Sequence, residues 1–117
     1  TYYLCGQVPF HPVTGEVVGN GMKEQAVQTL ANMKAVLEAA GLAVTDIAKT
    51  TVFVTNMDDF AAFNEVHAAF MGEHRPARVC VEVSNTAVCW KWMPSALKSK
   101  GRGIGPLFVL KRYFYKV

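Results

Sequence analysis

The spacing of hydrophobic residues changes along the chain, and these changes predict the order of its elements. The opening segment TYYLCGQV is rich in aromatic and β-branched residues, which favours a strand, and after the turn HPVTG the residues EVV favour a return strand. From Gly21 onward hydrophobic residues recur every three or four positions, which predicts one amphipathic helix that ends at Gly41. The apolar stripe of this helix comprises Met22, Ala26, Val27, Leu30, Met33, Val36, Leu37 and Ala40.

Three further segments complete the predicted core. IAKTTVFVT is the most β-prone segment of the chain and is predicted to be a central strand. Asp58 and Asp59 precede a second run of helical spacing; we interpret them as a helix cap and a first-turn charge rather than as a metal or acid–base site. The segment Arg75–Val83 alternates, so we expect its small apolar residues to pack under the helices and Arg78 to stand on the opposite face. This order predicts an α+β fold with both helices on one face of a sheet.

Charge divides the chain into two parts. Its 117 residues correspond to a single domain, and a hydrophobic fraction of 51% is typical of a folded protein. Residues 1–83 carry five basic and nine acidic side chains, a balance of −4, whereas residues 84–117 carry seven basic side chains and no acidic one, a balance of +7. Such a break is typical of a tail that binds nucleic acid, but the acidic body argues against tight phosphate binding. We therefore predict a domain at 1–83 and a separate basic tail at 84–117.

Cysteine and histidine usage limits the kinds of site that the chain can build. The three cysteines cannot pair completely and match no zinc spacing, so we expect free thiols in a reducing compartment, the cytoplasm or alternatively the mitochondrion. The three histidines are scattered; no metal site is expected, and His67 is expected to pack at the edge of the second helix's stripe. No apolar run reaches the length of a membrane span, so no membrane partner is expected. The chain begins inside an apolar run, which indicates a truncated start.

Three segments, taken in order, resemble the YjgF/RidA family of reactive-intermediate imine deaminases, whose members also carry the name endoribonuclease L-PSP. The segments are CGQVPFHPVTGEVV, QAVQTLANMKAVLEAAGLAVTDIAKTTVFVTNMDDFAAFNEVHAAF and RPARVCVEV, the last of which ends at Val83. The resemblance implies a chorismate-mutase-like mixed sheet with two helices on one face. It also implies a homotrimer with a ligand site at each subunit interface.

The activity implied by the resemblance is hydrolytic deamination without a metal or an organic cofactor. Enamine and imine products of amino-acid dehydratases, such as 2-aminoacrylate, 2-iminobutanoate and 2-iminopropanoate, would be converted to 2-oxo acids and ammonia. Arg78 would hold the substrate carboxylate, since a planar guanidinium can donate two parallel hydrogen bonds and stays charged. Gly6 stands where a side chain would crowd the ligand, Asn64 and Cys80 match site positions, and Cys5 occupies the place of a serine.

Each assignment has an alternative. Arg78 could form a surface ion pair with Glu82, Asn64 could be an ordinary polar helix residue, and Cys80 could be a small buried hydrophobe. The family's first strand with its site tyrosine, and its last strand with an acidic residue that positions water, have no counterpart in the sequence as written. Two other functions are open: an RNA-acting ribonuclease or translation-inhibitor type, which the acidic body and the scattered histidines disfavour, and a ligand-binding member without turnover.

The segment VCWKWMPSALK, Val88–Lys98, differs from the family's last strand in the frame as written. Back-translation of Cys89 to Pro94, read from the third base of the cysteine codon, gives Leu, Glu, Val or Met, Asp and Ala. That sequence alternates and carries its acids on one face, as the family's last strand does, so we predict that residues 84–117 are a frameshifted translation of the proper C-terminus. Proline cannot donate to a central ladder. We therefore expect an irregular region or a makeshift strand around Val88–Trp92 that stops at Pro94, and a further strand from LFVLKRYFYKV.

Overall fold

The computed structural model describes residues 2–84, 90–97 and 108–110. These residues form five strands and two helices, joined in part by short 3₁₀ turns at Val44–Asp46 and Met57–Asp59. The elements are β1 (Tyr2–Leu4), α1 (Met22–Ala39), β2 (Ile47–Val54), α2 (Phe60–Met71), β3 (Ala77–Glu82), β4 (Trp90–Leu97) and β5 (Phe108–Leu110). Within the described residues, neither helix combines the length and apolarity needed to span a membrane.

The strands form one mixed sheet in the order β3–β2–β4–β1–β5. Strand β2 pairs in parallel with β3 and antiparallel with β4. Strand β1 pairs antiparallel with β4 and in parallel with β5. The segment IAKTTVFVT therefore supplies a central strand, as predicted, and the α+β mixed sheet is confirmed.

Helix α1 follows the predicted stripe and ends at the predicted glycine. Gly41 adopts a left-handed conformation (φ 71°), and the N–H of Leu42 donates to the carbonyl of Leu37 at 2.9 Å. This arrangement satisfies carbonyls that the helix end would otherwise leave without donors. One residue of the stripe was misassigned: Val27 is 57% exposed, because it lies on the flank of the buried face.

Both helices cover the same face of the sheet, as predicted. Leu30 and Met33 of α1 and Phe63 of α2 are buried together with Val52 and Val54 of β2. Burial of such side chains contributes about 1.5–3 kcal/mol each to folding. The core therefore lies between the helices and the central strand.

The orientation predicted for β3 is wrong. Parallel pairing sets Arg78 beside Thr50 and Cys80 beside Val52, and both β2 residues are buried under the helices. Paired residues of neighbouring strands share a face, so Arg78 and Cys80 also face the helices. Val79 and Val81 point to the open face and are 44% and 38% exposed. Alternation separates the two faces of a strand, but it does not show which face the helices cover.

The N-terminal hairpin is shorter than predicted. An isolated antiparallel bridge joins Phe10 to Val17 across the turn, and among the described elements EVV does not form a return strand. The turn itself is present: the N–H groups of Val13 and Thr14 donate to Nδ1 of His11 at 3.2 and 3.3 Å.

Within the basic segment, β4 lies between β1 and β2. It begins at Trp90 and continues past Pro94 to Leu97, so the expected stop at the proline is wrong; residues 85–89, where the strand was expected to begin, lie outside the described residues. The register of β2 with β4 shifts next to the Thr50–Pro94 pair. A sheet tolerates a residue without an N–H at such irregularities.

The second strand expected in the basic segment is present in part. Strand β5 takes Phe108–Leu110 from LFVLKRYFYKV, whereas residues 111–117 lie outside the described residues. The structure does not test the predicted frameshift or the predicted division of the chain into a domain at 1–83 and a basic tail at 84–117, so both stay predictions.

Candidate functional site

A groove of about 440 Å³ lies between α2 and the start of β3. Helix α2 contributes Asn64, His67 and Met71, which are spaced so that they lie on one helical face. Strand β3 contributes Arg78. The structure therefore brings together two of the residues predicted from the sequence, Asn64 and Arg78.

The guanidinium of Arg78 is held by three side chains of α2. Its Cζ lies 5.5 Å from the ring centroid of Phe60 and 5.8 Å from that of Phe63, which are cation–π distances. Its Nη1 donates to Nδ1 of His67 at 3.2 Å. Because a guanidinium only donates, Nδ1 is the acceptor and the neutral imidazole carries its proton on Nε2.

His67 is suited to this acceptor role because it stays neutral. The side chain is buried, and its ring centroid lies 5.5 Å from that of Phe63. Burial, together with the charges of Arg78 and Arg75, lowers the pKa of His67 from 6.5 to about 4. The packing expected from the sequence is confirmed, and the structure adds a contact with Arg78 that the spacing did not show.

The ion pair considered as an alternative for Arg78 is not formed. Residues four apart on a strand are separated by about 13 Å. The carboxylate of Glu82 instead accepts a hydrogen bond from the N–H of Met57 at 2.8 Å. Arg78 is thus directed toward α2 and the groove.

Cys80 lies on the same face as Arg78, two residues further along β3, and packs against the core. Burial raises the pKa of its thiol, and the nearby charge of Arg78 opposes that shift. Cys80 is half-buried and is not among the described residues that line the groove, so its position supports packing against the core, the alternative considered for it.

Cys5 and Gly6 lie away from the groove of their own chain. They follow β1, and both β4 and β2 separate β1 from β3. Three strand spacings amount to about 14 Å. The residues assigned by resemblance therefore form two groups in a single chain, with Cys5 and Gly6 in one group and Arg78, Asn64 and Cys80 in the other.

Sequence reasoning missed Arg75, which lines the same groove. Its Nη1 donates to the carbonyl of His74 at 3.0 Å and to that of Gly72, at the end of α2. The helical spacing of Asn64, His67 and Met71 could have identified the groove wall. Nothing in the sequence pattern marks Arg75, because its place depends on how α2 ends.

The paired aspartates lie where α2 begins, as expected, but neither supplies the capping oxygen. Asp58 and Asp59 lie in the 3₁₀ turn before α2, and the capping acceptor is Oδ1 of Asn56, which accepts from the N–H of Asp58 at 3.0 Å. Asp59 occupies the cap position of α2 without a side-chain cap bond. Among the described residues, no three His, Cys, Asp or Glu side chains are grouped so as to hold a metal ion.

In comparisons with known proteins, the family model and the curated relatives agree on one family. A family model described as Endoribonuclease L-PSP matches residues 1–91. Over 82 residues the chain is 51% identical to a RutC family protein of Pyrococcus horikoshii, covering 70% of this chain and 65% of that protein. Over 82 residues it is 54% identical to the 2-iminobutanoate/2-iminopropanoate deaminase of Escherichia coli strain K12, covering 68% of this chain and 63% of that protein. The chain thus spans less than two thirds of the length of these curated relatives.

Solved structures show the same fold. The E. coli TdcF structure with bound serine matches with a TM-score of 0.74 and 42% identity, covering 80% of this chain and 77% of that one. The YjgF gene product of E. coli matches with a TM-score of 0.73 and 45% identity, with the same coverage of 80% and 77%.

Proposed function

The chain belongs to the Endoribonuclease L-PSP family, which includes the YjgF/RidA proteins, and on that premise we propose that it is a hydrolytic deaminase of small 2-imino and 2-enamino acids. The observation that carries the proposal is the guanidinium of Arg78, held at the groove by His67, Phe60 and Phe63. A relative named as such a deaminase, 54% identical over 82 residues, supports this class of substrate.

In the proposed reaction Arg78 binds the substrate carboxylate. His67 accepts from Nη1, which leaves Nε and Nη2 as a parallel pair of donors for a carboxylate. Water adds to the electrophilic imine carbon, and the nitrogen takes up protons as the tetrahedral carbinolamine forms and collapses. The C–N bond then breaks, so that one water is consumed and one 2-oxo acid and one ammonia are released.

The proposed assembly is a homotrimer in which each site lies between two chains. Val79, Val81 and Tyr3 are exposed on the open face of the sheet, where a second chain can cover them. A closed symmetric assembly would let Cys5 and Gly6 of one chain approach Arg78 of the next. The separation of the two groups of assigned residues within one chain supports this arrangement.

Ribonuclease activity, which the family's name suggests, is the alternative function. The body of the chain has a balance of −4, whereas phosphate binding relies on clustered Lys and Arg. The pKa of His67 is lowered to about 4, so at neutral pH this side chain lacks the proton that a general acid must supply. Deamination therefore fits the groove better.

Removal of Arg78 tests the proposal. Arg78→Ala should lower kcat/KM at least tenfold, since loss of a charge-assisted carboxylate contact costs roughly 2–4 kcal/mol. The assay follows 2-oxobutanoate formed from the imine that threonine dehydratase releases. Lys34→Ala is the matched control, because Lys34 is an exposed cation on α1 paired with Glu38 at 3.9 Å.

Three outcomes separate the functions. Equal turnover by the wild-type chain and Arg78→Ala would refute the role of Arg78. Calorimetric binding of 2-oxobutanoate without turnover would favour the ligand-binding alternative. Cleavage of RNA in the absence of imine turnover would favour the ribonuclease.

A further inference from the structure

The groove contains a second guanidinium, that of Arg75, with N–H donors that no described residue accepts from. Arg75 lines the groove together with Arg78. The Nη1 of Arg75 donates hydrogen bonds to the carbonyls of Gly72 and His74, and these fix one side of its guanidinium against the end of α2. Within the described part of the chain, Nε and Nη2 of Arg75 have no hydrogen-bond acceptor. They are therefore available to an anion in the groove.

The groove has no acidic side chain among its described lining residues to balance these two cations. The polar lining is completed by the amide of Asn64 and the neutral ring of His67. Arg78 and Arg75 both lower the pKa of His67, so both charges act on the same region of the groove. Uncompensated positive charge in a concave site attracts anions, and a dianion more than a monoanion.

The size of the groove leaves room for a second acidic group. At roughly 30 Å³ or less per non-hydrogen atom, a four-carbon imino acid fills less than half of the groove's volume of about 440 Å³. With its first carboxylate on Arg78, such a substrate would leave the part of the groove near Arg75 to solvent.

We infer that the groove selects 2-imino acids that carry a second carboxylate, with Arg78 binding the carboxylate beside the imine carbon and Arg75 binding the distal one. The inference rests on the proposed deaminase function and names its substrate class. Hydrolysis proceeds as for the monocarboxylate: water replaces the imine nitrogen, ammonia leaves, and the distal carboxylate is unchanged. The reaction that supplies such a substrate is the oxidation of an acidic amino acid to its imine.

Binding of two stable product analogues tests the inference. On the full chain, calorimetry should show 2-oxoglutarate binding about tenfold more tightly than 2-oxobutanoate, the gain from one partly exposed charge-assisted contact. Arg75→Gln should remove this preference: 2-oxoglutarate should lose about tenfold in affinity and 2-oxobutanoate, which is not in contact with Arg75, should lose much less. Arg75→Lys, which keeps the charge, should retain part of it, and Lys34→Gln, which removes a distant exposed cation, should retain all of it.

The possible results distinguish this inference from the proposed function. Equal affinity for the two oxo acids, or an equal loss of both in Arg75→Gln, overturns the dicarboxylate preference while the binding of 2-oxobutanoate at Arg78 stands. Failure of both oxo acids to bind the wild-type chain overturns the inference together with the proposed carboxylate site. A turnover assay with the imine formed from aspartate, followed by ammonia release, should show the same preference in kcat/KM.

Discussion

Strand β3 presents a polar face to the helices and an apolar face to the open side of the sheet. On the helix side, Arg78 is enclosed by Phe60, Phe63 and His67. On the open side, Val79 and Val81 are 44% and 38% exposed. In a single folded domain the reverse arrangement is the stable one, because burial favours apolar groups and disfavours charges.

The difference fits the proposed function, in which a ligand binds on the helix side and a second chain covers the open side. An arginine kept under a helix gains hydrogen bonds and aromatic contacts that position it for a ligand. Exposed valines on a flat sheet gain stability only when a second surface covers them. The two faces can therefore be altered separately, and each should respond in its own way.

The largest effect should come from placing a charge on the open face. Val79→Asp would bury a carboxylate without a counter-ion in the proposed trimer, at a cost of several kcal/mol for each interface. Light scattering should show a trimer for the wild type and a monomer for the variant, with unchanged circular dichroism. Val13→Asp is the control, since Val13 is 87% exposed in a turn. A trimeric Val79→Asp chain would show that this face is not the interface.

A smaller effect is expected on the helix side, where stability rather than assembly should fall. Phe63 is fully buried, so Phe63→Ala should lower the free energy of unfolding by about 3–5 kcal/mol. Val81→Ala, measured by urea denaturation at concentrations where the chain is monomeric, should lower it by less than about 1 kcal/mol. Similar losses for the two variants would contradict the assignment of the faces.

The contact between His67 and Arg78 should affect substrate binding more than folding. His67→Phe keeps an aromatic ring and removes the acceptor, so KM should rise about tenfold with a smaller change in kcat, as expected for a charged hydrogen bond of about 1.5 kcal/mol. His67→Asn offers an oxygen near the position of Nδ1 and should restore most of the binding. Equal KM values for the two variants would mean that His67 only fills space.

Stability should also depend on pH through His67. The folded chain protonates His67 only near pH 4, whereas the unfolded chain does so near 6.5. Between these values the unfolded state binds more protons, so the free energy of unfolding should rise with pH across this range. The same urea series on His67→Asn should lack this component. An identical slope in both chains would show that the pKa of His67 is not lowered.

Much of the helix-side architecture could be predicted from the sequence, because it depends on local pattern. The stripe of α1 with its end at Gly41 and the β-prone β2 segment were both assigned correctly. The orientation of β3 was not, because alternation separates the two faces of a strand without showing which of them the helices cover. Arg75 was missed for a related reason: its position follows from the turn after Met71 rather than from any periodic pattern.

The connectivity of the sheet also sets the order in which its parts can form. Strand β2, helix α2 and strand β3 are consecutive, so the groove around Arg78 is built from one short stretch of chain. Strand β1 can pair only after β4 and β5 are present, since Tyr2 pairs with Leu97 and Phe108, which come about a hundred residues later in the chain. Contacts between distant parts of a chain are slow to form because closing a long loop costs entropy before the contact stabilises anything. During synthesis the residues that line the Arg78 groove therefore emerge together, before the residues that pair with β1 have been made.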